Sequence, residues 1–308
     1  MIPALERAGL VVLERGWLSS NGVLFGASDP SHEATLVDTG YWTHAPQTLA
    51  LVRRLLGTRP LQRIVNTHLH SDHCGGNRVL QDAYACATDV PVGEADKVDR
   101  WDEAALTYRE TGQHCPRFAR TGALVPGTEI TLGALDWEVI GSPGHDPESV
   151  VLYQPDVEVL ISADALWENG FGIVFPELEG EPGFDAVGAT LDRLRSLRVQ
   201  VVIPGHGPAF TDVAGALERA ERRLASQIAD PVRHARHAAK VLLKFHVMEL
   251  RRDTRATLLA WLASVPLIRN VHAWHFAKTP FEPWATELLV ELAASGAVRI
   301  DGETIENV

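Results

Sequence analysis

The sequence predicts an α/β fold in which helices pack on the outer faces of sheets, followed by a helical C-terminal region. Two halves of the chain each run from short apolar strands into amphipathic helices, a pattern typical of layered α/β domains. After Gly207 the sequence becomes almost continuously helix-compatible. With 308 residues, 45% hydrophobic and 22% charged, the chain can form a large core domain and a smaller second one.

The first half opens with three β-like runs rich in Val, Leu and Phe: GLVVLE, NGVLFG and ATLVDTG. A helix is predicted over APQTLALVRRLLG, because Pro46 suits a first turn and Gly57 suits a helix end. The strand LQRIVNTH follows, and GGNRVLQDAY is predicted to be a helix. Residues 93–120 are polar and are also predicted to be helical.

The second half returns to strands at EITLG, LDWEVIGS, SVVLYQ and VEVLISAD. The segment FDAVGATLDRLRSLR has apolar residues at helical spacing and predicts an amphipathic helix. The run VQVVIPGHG then predicts one more buried strand. Each half therefore supplies a sheet and the helices that cover it.

The C-terminal region, residues 212–308, is predicted to be a separate unit that begins after residue 211. Its first part is helix-compatible, with Pro231 as a break. The end, AVRI-DG-ETIENV, predicts a hairpin with an Asp-Gly turn, and Gly296 suits the end of the helix before it. Helices followed by a two-stranded wing predict a winged-helix-like domain. The alternative is a plain helical tail that packs on the core.

Charge and cysteine content restrict the classes of function. The formal net charge is -12, and residues 232–308 contribute +2 of it (10 Lys+Arg against 8 Asp+Glu), which leaves -14 on residues 1–231. Such a chain is a poor general binder of nucleic acid. Three cysteines, Cys74, Cys86 and Cys115, are too few for a disulfide scaffold. With no signal-peptide pattern and no apolar run of membrane-spanning length, we expect a cytoplasmic protein.

The stretch NTHLHSDHCGGN places three histidines and an aspartate within six positions, directly after a predicted strand. Side chains alternate in extended chain, so His68 and His70 point to the same side. Asp72 and His73 lie at the turn into the next helix. Imidazoles and carboxylates suit Zn²⁺, Fe or Mn²⁺, and this many potential ligands could serve two ions.

Three further candidate ligands follow the ends of predicted strands, as the histidine cluster does. His145, Asp164 and His206 each follow the end of a β-like run. Residues just past strand ends project at the edge of a sheet, where sites of layered α/β folds are built. We therefore expect these side chains to lie at the same edge as the histidine cluster.

Together these motifs resemble those of the metallo-β-lactamase superfamily of hydrolases, over about residues 10–210. The resemblance implies an αββα metallo-β-lactamase sandwich over residues 1–211, with the winged-helix-like domain appended over 212–308. It also implies seven metal ligands: His68, His70 and His145 for a first ion, Asp72, His73 and His206 for a second, and Asp164 as a bridge. Asp72 is also the candidate catalytic residue, and Asp38 in LVDTG matches a position that supports the site.

The function implied is hydrolysis of a small ester, thioester or lactone by a metal-bridging hydroxide. A metal lowers the pKa of bound water from about 15.7 toward about 7, so hydroxide exists at neutral pH. The cofactors expected are two divalent ions, with Zn²⁺ favoured and Fe or Mn²⁺ as alternatives. A metal-dependent phosphodiesterase or ribonuclease, an iron-dependent redox protein, and a binding module without activity stay open. A small-molecule substrate is the expected partner, a homodimer stays open, and nucleic acid is not expected.

Three details separate this chain from better-known members of that superfamily. Cys74 follows His73, but we expect it to be a small buried residue rather than a ligand, which disfavours antibiotic hydrolysis. The loop HDPES carries Asp146 and Glu148, which we expect to be solvated charges; the alternative is that one of them contacts substrate or supports the site. The segment ALWENGFGIVFPEL follows Asp164 and is a candidate wall of a substrate pocket.

Overall fold

The computed structural model describes residues 2–308 and contains three sheets with helices around them. The strands of the first sheet are β1 to β6: Leu10–Leu13, Gly22–Phe25, Thr35–Val37, Arg63–Val65, Ala87–Pro91 and Gly122–Leu124. The strands of the second are β7 to β11: Glu129–Leu132, Leu135–Gly141, Val150–Gln154, Val159–Ala163 and Val201–Pro204. The helices associated with these two sheets are α1 to α9: Pro3–Arg7, Ala45–Leu56, Ser71–Cys74, Asn77–Tyr84, Ala95–Arg100, Tyr108–Thr111, Phe175–Leu178, Gly183–Ser196 and Val213–Ala229.

The two large sheets are mixed. The first has the order β1-β2-β3-β4-β5-β6, in which β1, β2 and β3 pair antiparallel and β3 to β6 pair parallel. The second has the order β11-β10-β9-β8-β7, in which only β10 and β11 pair parallel. Parallel neighbours bring successive strand ends to the same edge, which is where the sequence motifs lie.

The two sheets pack face to face, and helices cover their outer faces. On β2, Phe25 points into the sandwich and contacts Trp137 of the second sheet edge to face, with ring centroids 5.4 Å apart. Its neighbour Leu24 points outward to the cluster that contains Val52 of α2 and Leu80 of α4. This alternation follows from the two-residue period of a strand. On the other side, α8 and α9 cover the second sheet, so the layers run helix, sheet, sheet, helix.

The C-terminal region is built around one apolar cluster, which also takes in Ile173 and Leu178 from the segment after β10. Its elements are α10 Pro231–Leu250, β12 Arg252–Thr254, α11 Arg255–Ser264, α12 Pro266–Val271, a π-helical turn His272–Phe276, α13 Phe281–Ala294, β13 Val298–Asp301 and β14 Thr304–Asn307. The three strands pair antiparallel in the order β12-β14-β13. The predicted hairpin with its Asp-Gly turn is confirmed. Helix α9 packs with the sandwich instead, while the division of the chain at residue 212 stays a prediction.

Other expectations for local structure were wrong. Residues 93–120 form only the short helices α5 and α6 joined by turns, because Gly112 and Trp101 sit at left-handed helix ends. Strands β5, β6 and β12 were not predicted: they are short, and tertiary pairing rather than an apolar pattern defines them.

None of the helices within residues 2–308 combines the length and apolar character needed to cross a bilayer.

Candidate metal centre

The candidate site lies at one edge of the sandwich and is built from segments that follow strand ends. The segment after β4 carries His68 and His70 and leads into α3, which carries Asp72 and His73. The loop between β8 and β9 carries His145, the residue after β10 is Asp164, and the loop after β11 carries His206. Both sheets therefore contribute to one place.

The structure brings all seven sequence-predicted residues together. Three groups have nitrogen or oxygen atoms within 4.8 Å of one another, at a spacing that could hold an ion. They are His68, His70 and His145; Asp72, His73 and His206; and His68, His73 and Asp164. The first two groups are the two sets implied by the sequence, and the third places Asp164 beside a histidine of each set.

The distances within the site are those of groups that share a small volume. His70 Nδ1 lies 2.8 Å from His145 Nε2, and His206 Nε2 lies 3.1 Å from Asp72 Oδ2. The Asp164 carboxylate spans the two sets, with Oδ1 3.4 Å from His73 Nε2 and Oδ2 3.4 Å from His145 Nε2. A carboxylate in this position can contact two centres at once.

Buried hydrogen bonds orient the histidines. Asp38 accepts from the Thr67 backbone N–H (2.9 Å), from Thr67 Oγ1 (2.8 Å) and from His73 Nδ1 (2.8 Å). Since the Thr67 hydroxyl donates to Asp38, it accepts from His68 Nδ1 at 3.1 Å. His145 Nδ1 donates to the carbonyl oxygen of Ile173 at 2.5 Å. In all three histidines Nδ1 is the nitrogen that donates a hydrogen bond, so Nε2 is the nitrogen left to face the centre of the site.

Backbone geometry at the site also has a cost. Asp38 has a φ of 55° and Ala163, the residue before Asp164, has a φ of 45°. Both are left-handed conformations that non-glycine residues rarely adopt. Gly172 and Gly205 leave room for the ligands: a Cβ at Gly172 would lie 2.3 Å from His145 Nδ1, and one at Gly205 would lie 2.2 Å from Asp164 Oδ1. The sequence at these positions is therefore set by the side chains of the site.

The donor set fits a divalent metal ion. Among residues 2–308, His68 Nε2 and His73 Nε2 are buried and have no hydrogen-bond partner. A buried polar atom without a partner has a free-energy cost of about 1–3 kcal/mol, so it needs an explanation. Imidazole nitrogens with fixed tautomers and adjacent carboxylates are the usual ligands of Zn²⁺, Fe and Mn²⁺. A metal ion would satisfy both orphaned atoms.

The pKa values of the histidines fall into two classes. Burial lowers the pKa of His70 and of His145 to about 4, and it holds that of His68 well below its usual range. These three are therefore neutral, as a metal ligand must be. For His73, burial acts in the same direction, but the carboxylates of Asp164 and Asp38 outweigh it and hold its pKa well above the usual value.

Asp146 differs from expectation, because it is buried rather than solvated. Its Oδ1 accepts from the Glu148 backbone N–H at 2.8 Å, and its Oδ2 lies 3.7 Å from His70 Nε2. The alternative, that a residue of this loop supports the site, is the one the geometry favours. Cys74 is fully buried, as expected, with its Sγ 3.7 Å from Cys115 Sγ.

A cavity of about 580 Å³ opens onto the site. The segment after Asp164 lines it through Trp167, Ile173 and Phe175, so the prediction that this segment walls a pocket is confirmed. Trp17, which no sequence motif singled out, stacks on His206 with ring centroids 5.4 Å apart. Much of the rest of the lining comes from α10. The cavity is therefore shared between the sandwich and the C-terminal region.

The loop that carries His206 is held by Asn21, which is buried near the start of β2. Its Nδ2 donates to the carbonyl oxygens of Pro204 (2.9 Å) and Gly207 (2.7 Å). Its backbone N–H donates to the carbonyl oxygen of Gly205 (2.7 Å). Its Oδ1 accepts from the Arg15 backbone N–H at 2.8 Å. We call this arrangement the Asn21 clamp.

Comparison with known proteins agrees with the site and the fold. The sequence model of the family described as Metallo-beta-lactamase superfamily matches residues 15–206. A hydroxyacylglutathione hydrolase of Hyphomonas neptunium is 31% identical over 137 residues, which cover 44% of each chain. One from Brucella ovis is 28% identical over 216 residues, or 70% of this chain and 69% of the relative. The chain thus spans less than half the length of the first of these relatives.

Solved structures share the fold. A metallo-beta-lactamase family protein of Thermus thermophilus, TTHA1429, is 22% identical and aligns over 98% of this chain and 99% of its own, with a TM-score of 0.57. TTHA1623, solved in a di-iron-bound form, is 26% identical over 68% of this chain and 98% of its own, with a TM-score of 0.53. The first alignment includes the C-terminal region.

Proposed function

Because the chain belongs to the metallo-beta-lactamase superfamily, we propose that it is a metal-dependent hydrolase of small esters, thioesters or lactones. One observation carries the proposal: seven side chains from both sheets converge, and two of their buried nitrogens, His68 Nε2 and His73 Nε2, have no partner among the described residues. His73 Nε2 faces the Asp164 carboxylate at 3.4 Å without a well-formed hydrogen bond, and His68 Nε2 has no hydrogen-bond partner within residues 2–308. A metal ion would give both atoms a partner.

We propose two ions. One would be held by His68, His70 and His145, the other by Asp72, His73 and His206, with Asp164 between them. A divalent ion supplies a nucleophilic hydroxide at neutral pH and polarises the carbonyl under attack.

The chain's own residues prepare the site for this chemistry. Asp38 fixes His73 through its Nδ1 proton and, through Thr67, fixes His68 as well. Trp167 Nε1 donates to Asp164 Oδ1 at 3.1 Å and so orients that carboxylate. Trp17 and Trp167 lie edge to face, with centroids 5.4 Å apart, and both rings line the cavity.

Two comparisons bear on substrate and metal. The relatives named hydroxyacylglutathione hydrolases act, by that name, on a thioester, so we place thioesters first among the carbonyl substrates. The di-iron form of TTHA1623 makes iron as reasonable a candidate as zinc. The histidine and carboxylate donors of this site are compatible with either ion.

The C-terminal region supports a small-molecule substrate better than a nucleic acid. Arg236 and Lys240 on α10 pair with Glu291 of α13. Lys244 donates to the carbonyl oxygen of Ala297 and to Asn307 Oδ1. These cations are therefore not available as a continuous basic face. The order helix, strand, three helices and hairpin supports our proposal that residues after the sandwich form a winged-helix-like domain.

The proposal can be tested with a substrate panel. The purified protein is assayed with a thioester, a lactone, an aryl ester and bis(p-nitrophenyl) phosphate, each with and without a chelator. We expect cleavage of a carbonyl substrate that the chelator abolishes. Cleavage of the phosphodiester alone would instead establish a phosphodiesterase.

A pair of variants ties the activity to the site. Asp164→Asn removes the charge that lies between the two sets of ligands, so metal content and rate should both fall by orders of magnitude. Asp136→Asn, at an exposed position on β8, is the matched control and should behave as the unmodified protein. Unchanged metal stoichiometry in Asp164→Asn would contradict the two-ion proposal.

A further inference from the structure

A second cleft, of about 480 Å³, lies where α9 meets α10. We call it the cationic cleft. Its charged lining consists of four cations and two carboxylates: Arg223, Arg233, Arg236 and Lys240 against Asp230 and Glu291. The lining is therefore net positive in a chain whose net charge is -12. Against that background a concentrated positive cleft calls for a physical reason.

Internal ion pairs account for only part of this charge. Arg236 pairs with Glu287 and Glu291, and Lys240 pairs with Glu291. Within residues 2–308, the guanidinium groups of Arg223 and Arg233 have no carboxylate within ion-pair distance. Two positive charges at the cleft are therefore uncompensated.

Arg223 is the more informative of the two. It is half-buried, and burial lowers its pKa. Its guanidinium carbon lies 5.3 Å from the centroid of the Phe171 ring. A solvated helix face would keep its arginines in water, whereas this one is partly desolvated without a compensating anion. Such an arrangement costs free energy unless a ligand provides the charge.

Two uncharged polar groups of the cleft also lack a partner in the described part of the chain. Gln227 Oε1 and His234 Nδ1 are buried atoms without a hydrogen-bond partner, and both residues line the cleft. His234 Nε2 faces the carbonyl oxygen of Val174 at 3.2 Å and donates to it, so its Nδ1 is an acceptor. A half-turn of the Gln227 amide would present a donor instead. Charged and uncharged groups thus point to a polar ligand at this place.

The cationic cleft is continuous with the cavity over the candidate metal centre. Arg223, His237 and Lys240 line both. The cavity itself has an apolar side formed by Ile173, Phe175, Val241, Phe245 and Met248. One molecule can therefore have a polar end in the cleft, an apolar part on α10 and a reactive group at the metal centre.

We propose that the cationic cleft binds a phosphate group on the thiol portion of an acyl thioester whose scissile carbonyl lies at the metal centre. This inference rests on the proposed hydrolase function and names its substrate class. A phosphate fits better than a single carboxylate, because one phosphate brings close to two negative charges and several acceptor oxygens. It therefore matches the uncompensated Arg223 and Arg233, and with the amide turned it accepts from the Gln227 NH₂ group.

The test compares thioesters that share an acyl group and differ in the thiol: coenzyme A, which carries phosphates, glutathione, which carries carboxylates, and N-acetylcysteamine, which is neutral. We expect the unmodified metal-loaded protein to have a kcat/KM at least about tenfold higher for the coenzyme A ester. Arg223→Gln and, separately, Arg233→Gln should each lower that kcat/KM by about tenfold, the usual effect of losing one charge-assisted hydrogen bond. Arg233→Gln, whose side chain does not line the cavity over the metal centre, should leave the neutral ester within about twofold, and Arg223→Gln should lower the coenzyme A ester more than the neutral one.

The matched control is Arg222→Gln on the same helix. Arg222 is exposed and lies 3.6 Å from Glu218, so its loss should leave every substrate unchanged. Arg233 is also exposed, so its variant tests the cleft even if Arg223→Gln fails to fold. Equal losses on the charged and neutral esters, or a glutathione ester that is preferred and depends on the same arginines, would overturn the proposal.

Equilibrium binding separates this inference from the hydrolase proposal. The probe is S-methyl coenzyme A, a thioether that cannot be hydrolysed, titrated calorimetrically into the metal-loaded protein. We expect binding that weakens about tenfold in Arg223→Gln or Arg233→Gln and not in Arg222→Gln. Such binding without cleavage of any thioester would refute the hydrolase and retain the cleft. Cleavage of the neutral ester without arginine-dependent binding would refute the cleft alone.

Discussion

Asp38→Asn is the substitution that most sharply tests how the site is organised. Asp38 is buried and accepts three hydrogen bonds, two of them on Oδ2 from Thr67 Oγ1 and His73 Nδ1. An asparagine keeps the size and can still accept from the Thr67 backbone N–H through its oxygen. Its NH₂ group then faces two donors. His73 must move its proton from Nδ1 to Nε2 to relieve the conflict, and Nε2 is the atom that faces the site.

The expected loss is that of a group that orients a metal ligand. Such losses weaken metal affinity by about 10- to 100-fold, or about 1.4–2.7 kcal/mol. The effect should fall mainly on the ion held by His73, and to a lesser extent on the one held by His68, which Asp38 reaches only through Thr67. Competition with a chromophoric chelator measures the two affinities, and elemental analysis gives the stoichiometry.

A matched control is Asp89→Asn. Asp89 is likewise buried, but its carboxylate pairs with Arg63 and does not contact any of the seven candidate ligands. It should lose stability without losing metal affinity. If Asp38→Asn binds both ions as tightly as the unmodified protein, the Asp38–His73 hydrogen bond does not set the tautomer, and the reasoning about the orphaned Nε2 atoms fails.

Two further predictions concern space and protons. Gly172→Ala should lower metal content at least about tenfold, because the added Cβ would lie 2.3 Å from His145 Nδ1. Gly16→Ala is the control and should be neutral, because its Cβ would meet nothing within 4 Å. Equal metal content in the two variants would contradict this prediction. Because the pKa of His73 is held above its usual 6.5 in the metal-free protein, its proton is present at pH 7 and must leave when a metal binds. Calorimetry in buffers of different ionisation enthalpy should show about one more proton released by the unmodified protein than by His73→Gln, and equal release would refute it.

The sequence was sufficient to predict the family and the architecture. The family resemblance and the α/β sandwich with a helical C-terminal region are confirmed. They were accessible because His68, His70, Asp72 and His73 form a local pattern whose residue types are rare in combination. The roles of these residues as metal ligands stay a proposal.

Features that depend on tertiary contact could not be predicted. Asp146 looked like a loop charge, and only the fold shows that it is buried 3.7 Å from His70. Trp17 belongs to no motif, and its place over His206 results from the docking of the two sheets. Strand β12 has only three residues and exists because β14 pairs with it. In each case a partner distant in the sequence decides the outcome.

The Asn21 clamp has a consequence for how the protein folds. Asn21 contacts the backbone of residues more than 180 positions away, and His206 meets Asp72 across 134 positions. Contacts of such high sequence separation form late, because a long loop must close before they contribute. During synthesis, the first ligands leave the ribosome well before the loop that completes the site. Metal loading should therefore be a late event that reports on completion of the fold, and a chain arrested before residue 204 should not retain two ions.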